Sequence, residues 1–179
     1  CSLYSKTSAA VGTDIKRPSL TGIHLEIYSD TVRASACDAF RMAVTEIKCN
    51  CGGKMSVTVP KQSFFYLANA VEDKDLLEFG LNANTLVFIK SDMLFSTRII
   101  SEPFMNIDRL LNMPDKMLVA KIKANDMKTM AETVSMITNF SEDTAPVLLK
   151  FKNNNLQLSI ESTEAESMLN VPIESVNMI

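Results

Sequence analysis

The feature that most constrains this chain is an order of elements that recurs three times: an amphipathic helix pattern, then three alternating runs parted by turn residues. In the first pass Leu3, Thr7, Ala10 and Val11 have helical spacing, and Gly12 is placed to stop the helix. From Leu20 onward, Ile23, Leu25 and Ile27 alternate with His24, Glu26 and Tyr28. The chain turns at Ser29-Asp30, and Val32, Ala34 and Ala36 then alternate with Arg33, Ser35 and Cys37. A corner, Cys37-Asp38-Ala39-Phe40, leads into a third strand from Met42 to Ile47.

The second pass opens with the strand Met55, Val57, Val59. Pro60 is placed to start a helix whose inward stripe is Phe64, Leu67, Ala68 and Val71. Leu77 to Leu81, Leu86 to Ile89 and Leu94 to Ile100 follow as strands, with turns at Asn82-Ala83-Asn84 and Ser91-Asp92. The third pass has the strand Leu118, Ala120, Ile122. A helix capped near Asn125 or Asp126 points Met127, Met130, Ala131, Val134 and Ile137 inward. Beyond Pro146 come Leu149 and Phe151, a turn at Asn153 to Asn155, the run Leu156 to Ile160, a corner at Thr163-Glu164, and Leu169 to Ile173.

A helix and three hairpin-linked strands, repeated at roughly sixty residues, predict an α+β fold: antiparallel sheets with the helices packed on one face. Two such units make one domain. Met113-Pro114-Asp115-Lys116 breaks the strand pattern, which gives domains 1–112 and 113–179. The first helix lacks a preceding strand and Ile179 falls where a fourth unit would begin, so the pattern is that of a chain cut at both ends.

Composition narrows the function. With 46% hydrophobic and 22% charged residues the chain is globular, and its longest apolar runs are far short of a bilayer span. No apolar leader follows a cationic start, so a cytoplasmic protein with reduced thiols is expected. Cys49 and Cys51 are too close to bridge comfortably and lack a second ligand pair; His24, the sole histidine, alternates with apolar neighbours. Neither metal nor cofactor is expected, and Cys49-Asn50-Cys51-Gly52-Gly53 reads as a hairpin loop. No nucleophile–base pair or phosphate loop stands out among five glycines and one histidine, and Glu72, Asp73 and Asp75 read as a solvated loop. A net charge of −3 and the lack of tryptophan disfavour a self-sufficient nucleic-acid binder.

Four segments, in order and correctly spaced, resemble the bacterial DNA polymerase III β subunit, the sliding clamp. Arg17-Pro18-Ser19-Leu20-Thr21-Gly22 with Leu25-Glu26-Ile27 is similar to that family's RPxLTG…LEI, and Cys37 to Val44 to its TDGHRLAV. Phe95 to Phe104 resembles the segment ending in FPDY, and Met113 to Lys116 the NPDK that opens the third domain. The resemblance implies a DNA-clamp fold, with residues 1–112 as a middle domain lacking its first strand and 113–179 as the first half of the C-terminal domain. It implies a non-catalytic processivity factor of DNA replication. Two full-length chains would close as a homodimer ring around duplex DNA. Polymerase, clamp loader and repair proteins would dock through short Gln-Leu-x-Leu-Phe-type segments.

Carried over by position, the peptide groove would be walled by Leu20, Cys37, Ala39, Phe40, Arg41, Met42, Met105 and Leu110. The family's glycine and histidine are here Ala39 and Phe40, and its proline is Met105, which makes the groove narrower and more apolar. On the residues alone, Asp38 and Arg41 could instead pair across a turn while Phe40 and Met42 enter the core. Lys6, Lys16, Arg17, Lys61, Lys123 and Lys128 are placed to face DNA, giving a basic inner face beside an acidic outer one at Glu26, Asp30 and Glu46. The alternative is a clamp-like β-rich interaction module, a degenerate or mobile-element copy without ring function.

Overall fold

The computed structural model describes residues 2–72, 74–111, 118–138, 147–152, 155–161, 166–173 and 175–178. The chain divides into two compact units, Cys1–Leu110 and Leu111–Ile179. The first begins with α1 (Ser2–Thr7), a 3-10 turn Ser8–Ala10 and a second 3-10 turn Pro18–Thr21. Then come β1 (Gly22–Ile27), β2 (Thr31–Cys37), β3 (Met42–Lys48), β4 (Met55–Pro60) and α2 (Lys61–Ala70). β5 (Glu78–Asn82), β6 (Thr85–Lys90), β7 (Met93–Arg98) and the short α3 (Ile107–Leu111) follow.

Two antiparallel sheets result, ordered β3-β2-β1-β4 and β5-β6-β7. The alternation sets their inner faces, since a strand sends successive side chains to opposite sides. Ile23, Leu25 and Ile27 of β1, Val32, Ala34 and Ala36 of β2, and Val57 and Val59 of β4 are buried together. Leu86 and Phe88 from β6 and Leu3, Phe64 and Leu67 from the helices complete that core. Tyr4 of α1 meets the Phe64 ring of α2 edge-on, with centroids 6.0 Å apart. Thr7 is buried on the inward stripe, which its hydroxyl tolerates by donating to the Leu3 carbonyl at 2.7 Å. The helical run stops at Ala10, ahead of Gly12, whose N–H donates to the Leu20 carbonyl at 2.8 Å. A Cβ on Gly12 would lie 3.2 Å from that oxygen.

The second unit contains β8 (Leu118–Lys121), α4 (Ala124–Thr138), β9 (Val147–Lys152), β10 (Asn155–Glu161), β11 (Glu166–Pro172) and β12 (Ser175–Met178). Its sheet runs β11-β10-β9, and β12 pairs antiparallel with β8. The strand pattern had not extended to β12. Leu156, Leu158, Ile173 and Met130 form the buried cluster. Three expectations shift here. α4 starts at Ala124, so Asn125 and Asp126 fall inside its first turn instead of capping it. On that helix Met127 and Ala131 are exposed, and the side chains of Val134 and Ile137 lie outside the described residues. Leu149 and Phe151, on the edge strand β9, are exposed, as are Val147 and Leu148. The Met113–Lys116 segment, the first turn residues Asn153 and Asn154, and the Thr163–Glu164 corner also lie outside the described residues.

Candidate functional site

The corner between β2 and β3 is built by Asp38. Its Oδ1 accepts the N–H groups of Phe40 (3.1 Å) and Arg41 (2.9 Å), and its Oδ2 accepts Arg41 Nε at 2.6 Å. A short carboxylate satisfying backbone donors two and three residues ahead is a local turn device that needs no tertiary support. The Arg41 guanidinium, with the two backbone N–H groups, holds the Asp38 carboxyl below the usual carboxylate range. The turn forces Ala39 to φ 76°, a left-handed conformation natural to glycine and strained for alanine.

The consequence is the position of Phe40. Its side chain is 98% exposed, so it does not enter the core. The pairing of Asp38 with Arg41 and the presentation of Phe40 to solvent therefore coexist. Beside it opens a cavity of about 430 Å³, walled by Val11, Gly12, Arg17, Leu20 and the corner residues Asp38 to Arg41. Leu20 is 7% exposed and serves as floor. Cys37 and Met42 form the last rung of the β2–β3 ladder; Cys37 is buried with its Sγ 3.4 Å from the Ala39 N–H, and Met42 is half-buried.

The proposed groove is not one cavity. Met105 lines a second one of about 450 Å³ beneath the segment 99–108, with His24, Thr58, Glu102 and Phe104. The Ser19 N–H donates to Glu102 at 3.3 Å, tying that segment to the 3-10 turn carrying Leu20. Leu110 projects half-exposed from α3. In this second cavity three neighbours hold His24. Its Nδ1 lies 3.0 Å from Thr58 Oγ1, its Nε2 lies 3.3 Å from Ser56 Oγ, and its ring stacks on Phe104 at 4.7 Å. Burial lowers its pKa, against a smaller opposing pull from Glu26.

Arg17, grouped by sequence with the DNA-facing cations, instead shares the cavity of Phe40. Lys6 is exposed on α1, and Lys61 is half-buried at the start of α2. Lys16 is exposed in the loop ahead of Pro18, where its N–H donates to Asp14 at 2.9 Å. In the second unit Lys123 and Lys128 are exposed, Lys128 lying 3.8 Å from Glu132. α1 and α2 pack on the face bearing Leu25 and Ile27, so Glu26 and Glu46 lie on the opposite face.

That face is less acidic than expected, because Arg33 offsets one of its carboxylate charges. Its Nε binds Glu46 at 2.6 Å, and its Nη1 reaches Asp108 at 2.8 Å and Glu26 at 3.5 Å. The signal was available, since the register sets Arg33 between Glu26 and Glu46 on neighbouring strands. The contact from Asp108 had no local signal. Among the other acids, Glu72 pairs with Lys74 and Asp75 with Lys90, both at 2.9 Å; Asp73 lies outside the described residues. The sequence expectation of unbridged Cys49 and Cys51 is overturned: they form a disulfide, which the bend of the β3–β4 connection permits. Among the described residues no cluster of potential ligands could hold a metal, and no helix is long and apolar enough to cross a membrane.

Solved structures share this fold. The β subunit of the DNA polymerase of Streptococcus pyogenes superposes with a TM-score of 0.87 at 22% identity, covering 98% of this chain and 48% of its own. The DNA polymerase sliding clamp of Bacillus subtilis gives 0.83 at 18% identity, covering 98% and 47%. In sequence, the beta sliding clamp of Synechocystis is 23% identical over 171 residues, 87% of this chain and 44% of the relative. That of Halalkalibacterium halodurans is 28% identical over 103 residues, 55% of this chain and 27% of the relative. The architecture is thus that of a DNA-clamp protein. Residues 2–106 match the family model for the central domain of the DNA polymerase III beta subunit, and the chain belongs to that family. It spans less than half the length of these two relatives.

Proposed function

We propose that this chain is part of a sliding clamp, the non-catalytic processivity subunit of a replicative DNA polymerase, with 1–112 as its middle domain and 113–179 as the first half of its C-terminal domain. The complete protein closes as a homodimer ring around duplex DNA in the bacterial cytoplasm. Phosphates meet cations without regard to sequence. Lys6 and Lys61, on helices facing away from Glu26 and Glu46, are candidates for that inner face, together with Lys16, Lys123 and Lys128. Partners dock through short segments of the Gln-Leu-x-Leu-Phe type at the Asp38 corner.

The observation that carries the docking reading is Phe40: an aromatic ring 98% exposed at the lip of a cavity, on a turn held rigid by Asp38. A folded chain gains nothing by exposing that ring, whereas a peptide's leucine and phenylalanine gain by covering it. Arg17 and Arg41 at the rim supply donors for the peptide's backbone and acidic groups. Cys37 and Met42, the rung next to the corner, extend the apolar wall, and the methionine adapts to differing partners; Met105 in the second cavity and Leu110 on α3 would meet a peptide only beyond this rim. A fluorescently labelled peptide of this type should bind the chain saturably, and Met42→Asp should abolish the signal without unfolding the protein. A folded chain that shows no saturable binding would refute the docking role.

A further inference from the structure

We propose that Cys49 and Cys51 are a reversible thiol–disulfide site, exchanging with low-molecular-weight thiols, whose oxidised form clips the rim of an apolar cavity. The two sulfurs are bonded across a separation of two positions, in the connection between β3 and β4. Both cysteines are half-buried. Both line a cavity of about 270 Å³ with Ile47, Val71, Leu77 and Phe88. Their N–H groups donate to the carbonyls of the β1–β2 turn, Cys49 to Asp30 at 2.9 Å and Cys51 to Ser29 at 3.0 Å. Directly beyond lie Gly52, at φ +62°, and Gly53, both facing open space. The two amides therefore pin the cysteines to the β1–β2 turn, while the glycines beyond them border open space.

Three features make this pair reversible. Closing so short a loop removes little entropy from the unfolded chain, so folding adds little to the bond's resistance to reduction. Partial exposure leaves the sulfurs within reach of an attacking thiolate. The two thiols stay neighbours after reduction, because a single residue separates them in a connection anchored at its ends by β3 and β4. Cys37, buried on the far edge of β2, has no such access.

The chemistry closes without another reagent. A glutathione-type thiolate attacks one sulfur, forming a mixed disulfide and expelling the other as a thiolate, which takes up a proton. A second thiolate attacks the small-molecule sulfur of that mixed disulfide and releases the second cysteine. Two small thiols are oxidised to one disulfide as the protein bond is reduced by two electrons, and the reverse sequence restores it.

The test equilibrates the folded chain in a series of reduced-to-oxidised glutathione ratios, followed by acid quench, alkylation, peptide mapping and amide exchange of both redox forms. The expected result is reversible interconversion of the Cys49–Cys51 peptide between its internal disulfide and its doubly alkylated form. Exchange at the Cys49 and Cys51 amides should be about tenfold faster when reduced. A bond that survives excess thiol would make it a fixed staple and overturn the proposal. So would cysteines that stay reduced, or that stop as glutathione adducts, in excess oxidised glutathione. Equal exchange in the two forms would refute the clip. Cys51→Ser, which leaves Cys49 without its bonding partner, should trap a single glutathione adduct within the peptide that carries Cys49.

Discussion

Phe40→Ala separates docking from packing more sharply than any other single change. In the free chain the ring is 98% exposed, so folding removes almost none of its area from water. Its deletion should leave stability within about 0.5 kcal/mol of wild type, as for surface positions in general. Binding is different, because a docked peptide would cover the ring against the cavity shared by Arg17 and Leu20. Full burial of such a side chain is worth roughly 1.5–3 kcal/mol, which corresponds to a Kd weakened about 10- to 150-fold. Relief of strain at Ala39 does not enter, since the substitution leaves the Asp38 turn intact. Fluorescence anisotropy with a labelled Gln-Leu-x-Leu-Phe peptide measures the first quantity and urea denaturation the second. Leu20→Ala supplies the contrast: at 7% exposure it should lose about 2–5 kcal/mol of stability before binding is considered. The reasoning fails if Phe40→Ala destabilises the fold by more than about 1 kcal/mol, or leaves the Kd within about twofold.

Gly22→Ala should destabilise by about 1–3 kcal/mol, because its Cβ would sit 2.5 Å from the Val59 carbonyl oxygen; the urea midpoint reports it. His24, the sole histidine, should titrate below 6.5 by NMR of its ring protons, because burial disfavours its charged form. The unfolded chain then binds more protons than the folded one between that lowered value and 6.5. His24's contribution is therefore complete above 6.5 and is lost as pH falls through the folded value, a dependence that His24→Gln should remove in pH-stepped denaturation. Arg33→Met leaves Glu26, Glu46 and Asp108 facing one another, a loss of roughly 1–3 kcal/mol after allowance for their partial exposure. That deficit should shrink in acid, where carboxylates are neutral, and a pH-independent deficit would exclude charge repulsion as its cause.

The sequence by itself determined the elements of the first unit and their order. Period-two runs such as Ile23, Leu25, Ile27 and the helical stripe Phe64, Leu67 are local records of which face is dry, and turn residues mark where each run ends. It also determined the corner's chemistry, because Asp38 reaches donors only two and three positions away. Tertiary structure decided what each surface meets. Phe40 and Leu20 look equally apolar in sequence, yet only Leu20 is covered, because coverage depends on what other segments lay against it. Arg17 reads as one more cation until the fold sets it beside Phe40, and Met105 as a groove residue until it lines a different cavity. The Asp108 contact to Arg33 spans 75 positions and leaves no periodic trace. Spacing between neighbours fixes local conformation; burial, charge pairing and the bond between Cys49 and Cys51 depend on where the folded chain carries each side chain.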